Sequence, residues 1–117
     1  MLTTSLPVAS SLPSTPLLEQ VIGEVTANAA LAIVRALRHQ NNGLSPRNAA
    51  SAFGDWIARL FELRLVCAGI DFYTVAGTAG ARLLRERYGK DLDARTIAVL
   101  IDGALEALRQ AARMELN

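Results

Sequence analysis

Apolar residues recur at steps of three and four along most of the chain after residue 15, which is the spacing of one face of an α-helix. Short segments containing glycine, proline or aspartate divide this pattern into four stretches. The stretches predict helices over residues 16–41, 46–68, 72–88 and 94–115. We therefore predict an all-α fold, a compact four-helix bundle-like domain over residues 15–117.

The first predicted helix is unusual because it is apolar around more than half of its circumference. Thr15 is suited to cap it and Pro16 to its first position. The stripe expected to face the core contains Leu18, Val21, Ile22, Val25, Ala29, Ala32, Ile33 and Ala36. A neighbouring apolar sector contains Gly23, Ala27, Ala30, Val34 and Leu37, and Leu31 lies on the narrow polar face. This second sector needs its own cover, from another layer of this chain or from another chain.

The second predicted helix begins clearly, since Gly43 ends its predecessor, Ser45 can cap it and Pro46 suits its first position. Its apolar face contains Ala49, Phe53, Trp56, Ile57, Leu60, Phe61 and Cys67. Arg64 projects from this same face, where an unpaired charge is costly to bury. We expect Arg64 either to reach solvent across its neighbours or to pair with Asp71 or with a partner's carboxylate.

The stretch "LVCAGIDFYTVAGTAG" at residues 65–80 allows two interpretations. A strand followed by a phosphate-binding loop would require a glycine motif such as GxGxxG or GxxxxGK[ST], and neither is present. In the helical interpretation Gly69 ends the second helix and Asp71 caps the third, which ends at Gly89. The main alternative to this helix is a strand at residues 72–76, because "FYTV" has high β propensity.

The third predicted helix combines an apolar face with a side of small residues. The apolar face contains Phe72, Val75, Ala76, Ala79 and Leu83, and the small side contains Gly77, Gly80 and Ala81. Small residues let a neighbouring backbone approach closely, although each interior glycine costs about 1 kcal/mol relative to Ala.

The fourth predicted helix has the simplest pattern. Asp91 or Asp93 is expected to cap it. The residues predicted to point inward are Ile97, Leu100, Ile101, Ala104, Leu105, Leu108, Ala111 and Ala112. Those predicted to face water are Asp102, Glu106, Arg109 and Arg113, and this charge run suggests no function.

Composition and charge narrow the class of partner. The 117 residues suit one domain, 51% are apolar, only 5% are aromatic, and the formal net charge is +1. This balance gives no long-range field that would attract nucleic acid or an anionic membrane. The basic segment "RLLRERYGK" points in several directions at helical spacing, so DNA binding is kept only as an alternative. The predominance of Arg over Lys suggests a GC-rich bacterial genome.

Candidate catalytic chemistry is sparse. Cys67 is the only cysteine and His39 the only histidine, and we expect the first to lie in the core and the second to cap the first helix. We therefore expect no enzyme activity, no cofactor and no metal site. Neither a secretory signal nor an unbroken run of 18 apolar residues is evident, so we expect a soluble cytoplasmic protein with no membrane partner.

Residues 1–14 are uncharged and rich in Ser, Thr and Pro, and they predict a disordered N-terminal tail. The apolar surplus without reactive groups suggests a small non-enzymatic regulator that binds another protein, such as an antiactivator that blocks a larger transcription factor. The predicted contact residues are Ala27, Leu31, Val34 and Tyr73. A helical DNA-binding regulator and a homodimeric structural or accessory protein are the alternatives.

Overall fold

The computed structural model describes the backbone of residues 15–42, 46–67 and 70–116, with side chains over residues 17–37, 51–67 and 70–114. These ranges contain four helices and no strand. The helices are α1 (Thr15–Asn42), α2 (Pro46–Val66), α3 (Phe72–Tyr88) and α4 (Ala94–Leu116). The predicted all-α, four-helix fold is confirmed. The predicted tail at 1–14, the roles of Gly43, Ser45 and Gly69, and the side chain of His39 lie outside the described residues.

Aspartate side chains cap α3 and α4. The Asp71 carboxylate accepts hydrogen bonds from the Thr74 hydroxyl at 2.6 Å and from the Thr74 amide at 3.4 Å. Asp93 accepts the Thr96 amide at 2.7 Å, which identifies Asp93 rather than Asp91 as the cap of α4. Because α3 begins at Phe72, the high β propensity of "FYTV" is overridden by this cap and by burial of Phe72 against the other helices.

The other three helices pack around α1, and α3 makes the most extensive contact with it. α4 also touches the other three, whereas α2 and α3 barely meet. The predicted inward face of α4 is confirmed, since all its members are buried except the half-buried Ala111.

The small-residue sides of α1 and α3 pack directly against each other. A Cβ added to Gly23 would lie 2.8 Å from the Ala79 Cβ, and one added to Gly80 would lie 2.8 Å from the Thr26 Cγ2. Gly80 therefore permits the close approach that the sequence predicted. Gly23, Ala27 and Ala30 of the second apolar sector of α1 are buried within this chain, whereas Val34 is half-buried and Leu37 is 56% exposed. The chain itself therefore covers the first part of this sector.

Thr26 is the one buried polar side chain among the described residues, and it lies at this helix contact. Its hydroxyl donates a hydrogen bond to the Ile22 carbonyl at 2.8 Å. The bond satisfies the hydroxyl without a partner on α3, so the methyl group of Thr26 is free to pack against Gly80.

The end of α2 differs slightly from the prediction. The helix stops at Val66, and Cys67 lies in the turn that follows rather than on the helix. The Cys67 amide still donates to the Leu63 carbonyl at 2.9 Å and so continues the last turn. The Cys67 side chain is buried, as predicted, and its thiol is free because the chain has no other cysteine.

α1 is strongly apolar on average, although it contains no unbroken run of 18 apolar residues. Residues Leu17–Leu37 have a mean hydropathy of 1.4, and by length and composition alone this segment is able to cross a membrane. The core helix of a soluble protein meets the same criterion. In this fold the segment packs against the three other helices.

Candidate functional site at Tyr73

Tyr73, in the first turn of α3, is a half-buried ring that separates two surface grooves. The first groove runs between α3 and α4 and has a volume of about 400 Å³. Its walls include Gly77, Ala81, Ile101 and Leu105. The absence of a side chain at Gly77 keeps the groove open, since the nearest atom to an added Cβ there is the Leu105 Cδ1 at 3.5 Å.

The second groove lies between the end of α2 and the start of α3 and has a volume of about 390 Å³. Arg64, Leu65, Cys67, Ile70 and Tyr73 contribute to its walls. Three aliphatic side chains at this junction are open to solvent. The exposed fractions are 59% for Leu65, 81% for Val66 and 42% for Ile70.

Two guanidinium groups approach the Tyr73 ring from different helices. The Arg109 guanidinium carbon, on α4, lies 4.8 Å from the ring centroid, and that of Arg64, on α2, lies 6.0 Å away. Both distances fall within the range of cation–π attraction. Three helices therefore meet at this ring. We call Arg64, Leu65, Val66, Ile70, Tyr73 and Arg109, with the two grooves, the Tyr73 surface.

Arg64 does not form the ion pair with Asp71 that was one of its two expected arrangements. Its guanidinium forms no ion pair with Asp71 or with any other described residue. Asp71 instead uses its carboxylate to bind Thr74, and these hydrogen bonds lower the pKa of Asp71. Arg64 remains half-buried beside the Tyr73 ring.

The structure separates the four predicted contact residues. Ala27 is only 2% exposed, so the prediction that it contacts a partner does not fit this fold. Leu31 and Val34 are half-buried and pack against the chain's own core. Tyr73 borders two open grooves.

Sequence reasoning missed most of the other members of the Tyr73 surface. Leu65, Val66 and Ile70 fall outside the apolar stripes of the predicted helices, and apolar residues out of period were the available signal. Arg109 was predicted only to face water. Its contact with Tyr73 depends on α3 and α4 lying side by side, which the spacing along one helix does not reveal.

Other clusters offer less chemistry. No group of three His, Cys, Asp or Glu residues within the described part of the chain is placed to hold a metal ion. In the basic segment of α3, Arg87 forms a two-pronged ion pair with Glu24 of α1, and its hydrogen bonds lower the pKa of Glu24. Part of the positive charge predicted there is therefore neutralised within the chain.

Known proteins give no indication of what the Tyr73 surface binds. Comparison of the chain with protein-family models, with curated proteins and with solved structures found no match. The chemistry of the surface itself is an aromatic ring with two nearby cations, bordered by exposed aliphatic side chains.

Proposed function

We propose that this chain is a small non-enzymatic protein that binds another protein through the Tyr73 surface. The observation that supports this proposal is that the exposed Leu65 and Ile70 line the same groove as the Tyr73 ring, with the exposed Val66 next to Leu65 in the chain. Tyrosine and arginine are enriched among the residues that dominate binding energy at protein interfaces. Regulation of a larger factor, for example by blocking its dimerisation as antiactivators do, is the role we favour.

Two alternatives remain in view. DNA binding would use the exposed Arg82, Arg85 and Lys90 near the end of α3, but Arg87 of the same segment pairs with Glu24. Self-association would place a second copy on the Tyr73 surface. The first alternative predicts salt-sensitive retention of DNA, and the second predicts a molar mass that rises with protein concentration.

A matched pair of valine substitutions tests the proposal. Val66 lies at the α2–α3 junction, next to Leu65 in the chain, and is 81% exposed, whereas Val99 lies on α4 and is 63% exposed. Neither side chain borders a groove. Because both side chains are largely in solvent, Val66→Asp and Val99→Asp should leave the fold intact, which circular dichroism would check.

The full-length chain and both variants would be immobilised and exposed to a lysate of the source organism. We expect one or a few proteins to be retained by the unsubstituted chain and by Val99→Asp, and to be depleted about tenfold or more by Val66→Asp. Equal retention by all three chains would contradict binding through the Tyr73 surface. Retained DNA that is released by salt would favour the first alternative.

A further inference from the structure

We propose that the Tyr73 surface binds an acidic amphipathic segment of the partner protein, with carboxylates directed to Arg64 and Arg109 and apolar side chains in the two grooves. This inference rests on the proposed function and specifies the chemistry of the partner. It depends on charge complementarity at one ring.

The guanidinium groups of Arg64 and Arg109 both lie beside the Tyr73 ring. Arg64 has no carboxylate within ion-pair distance among the described residues. Arg109 has one, the Glu106 carboxylate at 3.4 Å, and Glu106 also binds Arg113 at 3.3 Å. Each guanidinium carries five N–H donors, so both retain donors for an incoming carboxylate.

Two acidic side chains, Asp71 and Asp102, also border the grooves. Both carboxylate oxygens of Asp71 accept hydrogen bonds from Thr74. Asp102 borders the first groove, but it precedes Arg109 by two helical turns, about 10 Å along α4. Asp71 borders the second groove and keeps its negative charge, because the hydrogen bonds from Thr74 lower its pKa. Each groove therefore has one acidic and one basic side chain in its wall, and the two basic ones lie against the Tyr73 ring.

The exposed aliphatic side chains of this surface favour a protein segment over a small anion as the occupant. A free anion would leave Leu65, Val66 and Ile70 in water, although Leu65 and Ile70 line the same groove as Arg64. A segment that carries both carboxylates and aliphatic or aromatic side chains would cover these residues and fill the grooves on either side of Tyr73.

A peptide selection tests the inference without knowledge of the partner. A displayed library of random peptides of about 16 residues, long enough for four helical turns, would be selected against the full-length chain. A parallel selection would use the Arg64→Glu/Arg109→Glu variant. The matched control is Arg82→Glu/Arg85→Glu, which changes the net charge equally at exposed positions of α3 outside the Tyr73 surface.

We expect the unsubstituted chain to enrich peptides that combine Asp or Glu with Leu, Ile or Phe. These peptides should bind Arg64→Glu/Arg109→Glu at least about tenfold more weakly, and bind Arg82→Glu/Arg85→Glu with little change. Selection against Arg64→Glu/Arg109→Glu should instead enrich Lys or Arg. The Arg64→Lys/Arg109→Lys variant should lose less affinity, because it keeps the charge but not the two-pronged geometry.

Several results would overturn the inference. The selection could instead enrich apolar peptides without acidic residues, whose binding Val66→Asp abolishes. That result would refute acidic recognition but leave the proposed function standing. Equal loss with both charge-reversed variants would indicate a general charge effect, and no enrichment at all would count against both proposals. A concentration-dependent dimer disrupted by Arg64→Glu/Arg109→Glu would identify a second copy as the occupant.

Discussion

Asp71 and Asp93 show how single side chains fix the helix boundaries and tie the stability of the fold to pH. Hydrogen bonds from Thr74 lower the pKa of Asp71, and those from Thr96 lower the pKa of Asp93. In the folded chain these carboxyls release their protons at lower pH than in the unfolded chain. Their contribution is therefore complete above the unfolded pKa of about 4 and is lost as the pH falls through the folded values.

Substitution of both caps by asparagine should weaken this pH dependence. Asp71→Asn/Asp93→Asn keeps a side-chain acceptor for each helix amide but cannot be protonated in this range. We expect its melting temperature at neutral pH to stay close to that of the unsubstituted chain. Between about pH 5 and pH 3, where free Asp titrates, its melting temperature should fall less steeply.

The control for this experiment is Asp55→Asn, at an exposed position whose carboxylate accepts no hydrogen bond from another described residue. Glu24, whose pKa Arg87 lowers, contributes an acid dependence in the same direction to every chain. Parallel melting curves for the cap variant and the Asp55→Asn control would show that the caps do not govern acid stability.

Among the helices, the α1–α3 contact is the element that organises the fold. Gly23 and Ala79 meet in one layer, and Thr26 and Gly80 meet in the next. This close contact buries Gly23 of α1 and Gly80 of α3, whereas Tyr73, about two turns earlier on α3, borders open grooves.

Adding a methyl group to this contact should destabilise the protein. The Gly80→Ala methyl would meet Thr26, whose branched side chain is buried and hydrogen-bonded and has little freedom to move. Overpacking costs about 1–3 kcal/mol, and higher helix propensity returns at most about 1 kcal/mol. We expect a net loss in the free energy of unfolding, measured by urea titration. Gly23→Ala should lose more, because Ala79 backbone atoms lie 3.1 and 3.2 Å from the added Cβ.

Gly54→Ala on α2 is the matched control, since no atom lies within 4 Å of a Cβ at that position. It should gain about 0.5–1 kcal/mol from helix propensity alone. Adding Thr26→Ser to Gly80→Ala removes the methyl group that would clash and should recover part of the loss. A gain at Gly80 equal to that at Gly54 would contradict the close packing of α1 and α3.

The elements were predictable where their signals are local. The cap at Asp71 and the inward face of α4 follow from residue types within a few positions of each other. What covers the small sides of α1 and α3 was not predictable, because a stripe of small residues is equally suited to a helix of the same chain or of another. The contact of Tyr73 with Arg109 depends on residues 36 positions apart, which helical periodicity does not connect.

For the whole molecule, the main consequence is that α1 packs against α2, α3 and α4. Among the described residues of α1, three large apolar side chains stay exposed: Leu17, Val21 and Leu37, at 58%, 41% and 56%. A separate group of exposed apolar residues lies at the α2–α3 junction, where Leu65 and Ile70 line a groove with Tyr73 and Val66 follows Leu65 in the chain. Because this junction also adjoins the two guanidinium groups at the Tyr73 ring, we propose it, rather than α1, as the surface that binds a partner.

Site-specific photocrosslinking in cells of the source organism tests this claim most directly. A photoreactive amino acid would replace Val66 in one full-length chain and Val99 in another, both at exposed positions. We predict that position 66 yields a discrete crosslinked protein, that position 99 does not, and that Arg64→Glu/Arg109→Glu reduces the product at position 66. The absence of a crosslink at position 66, or an equal one at position 99, would contradict the proposal that the Tyr73 surface binds a partner.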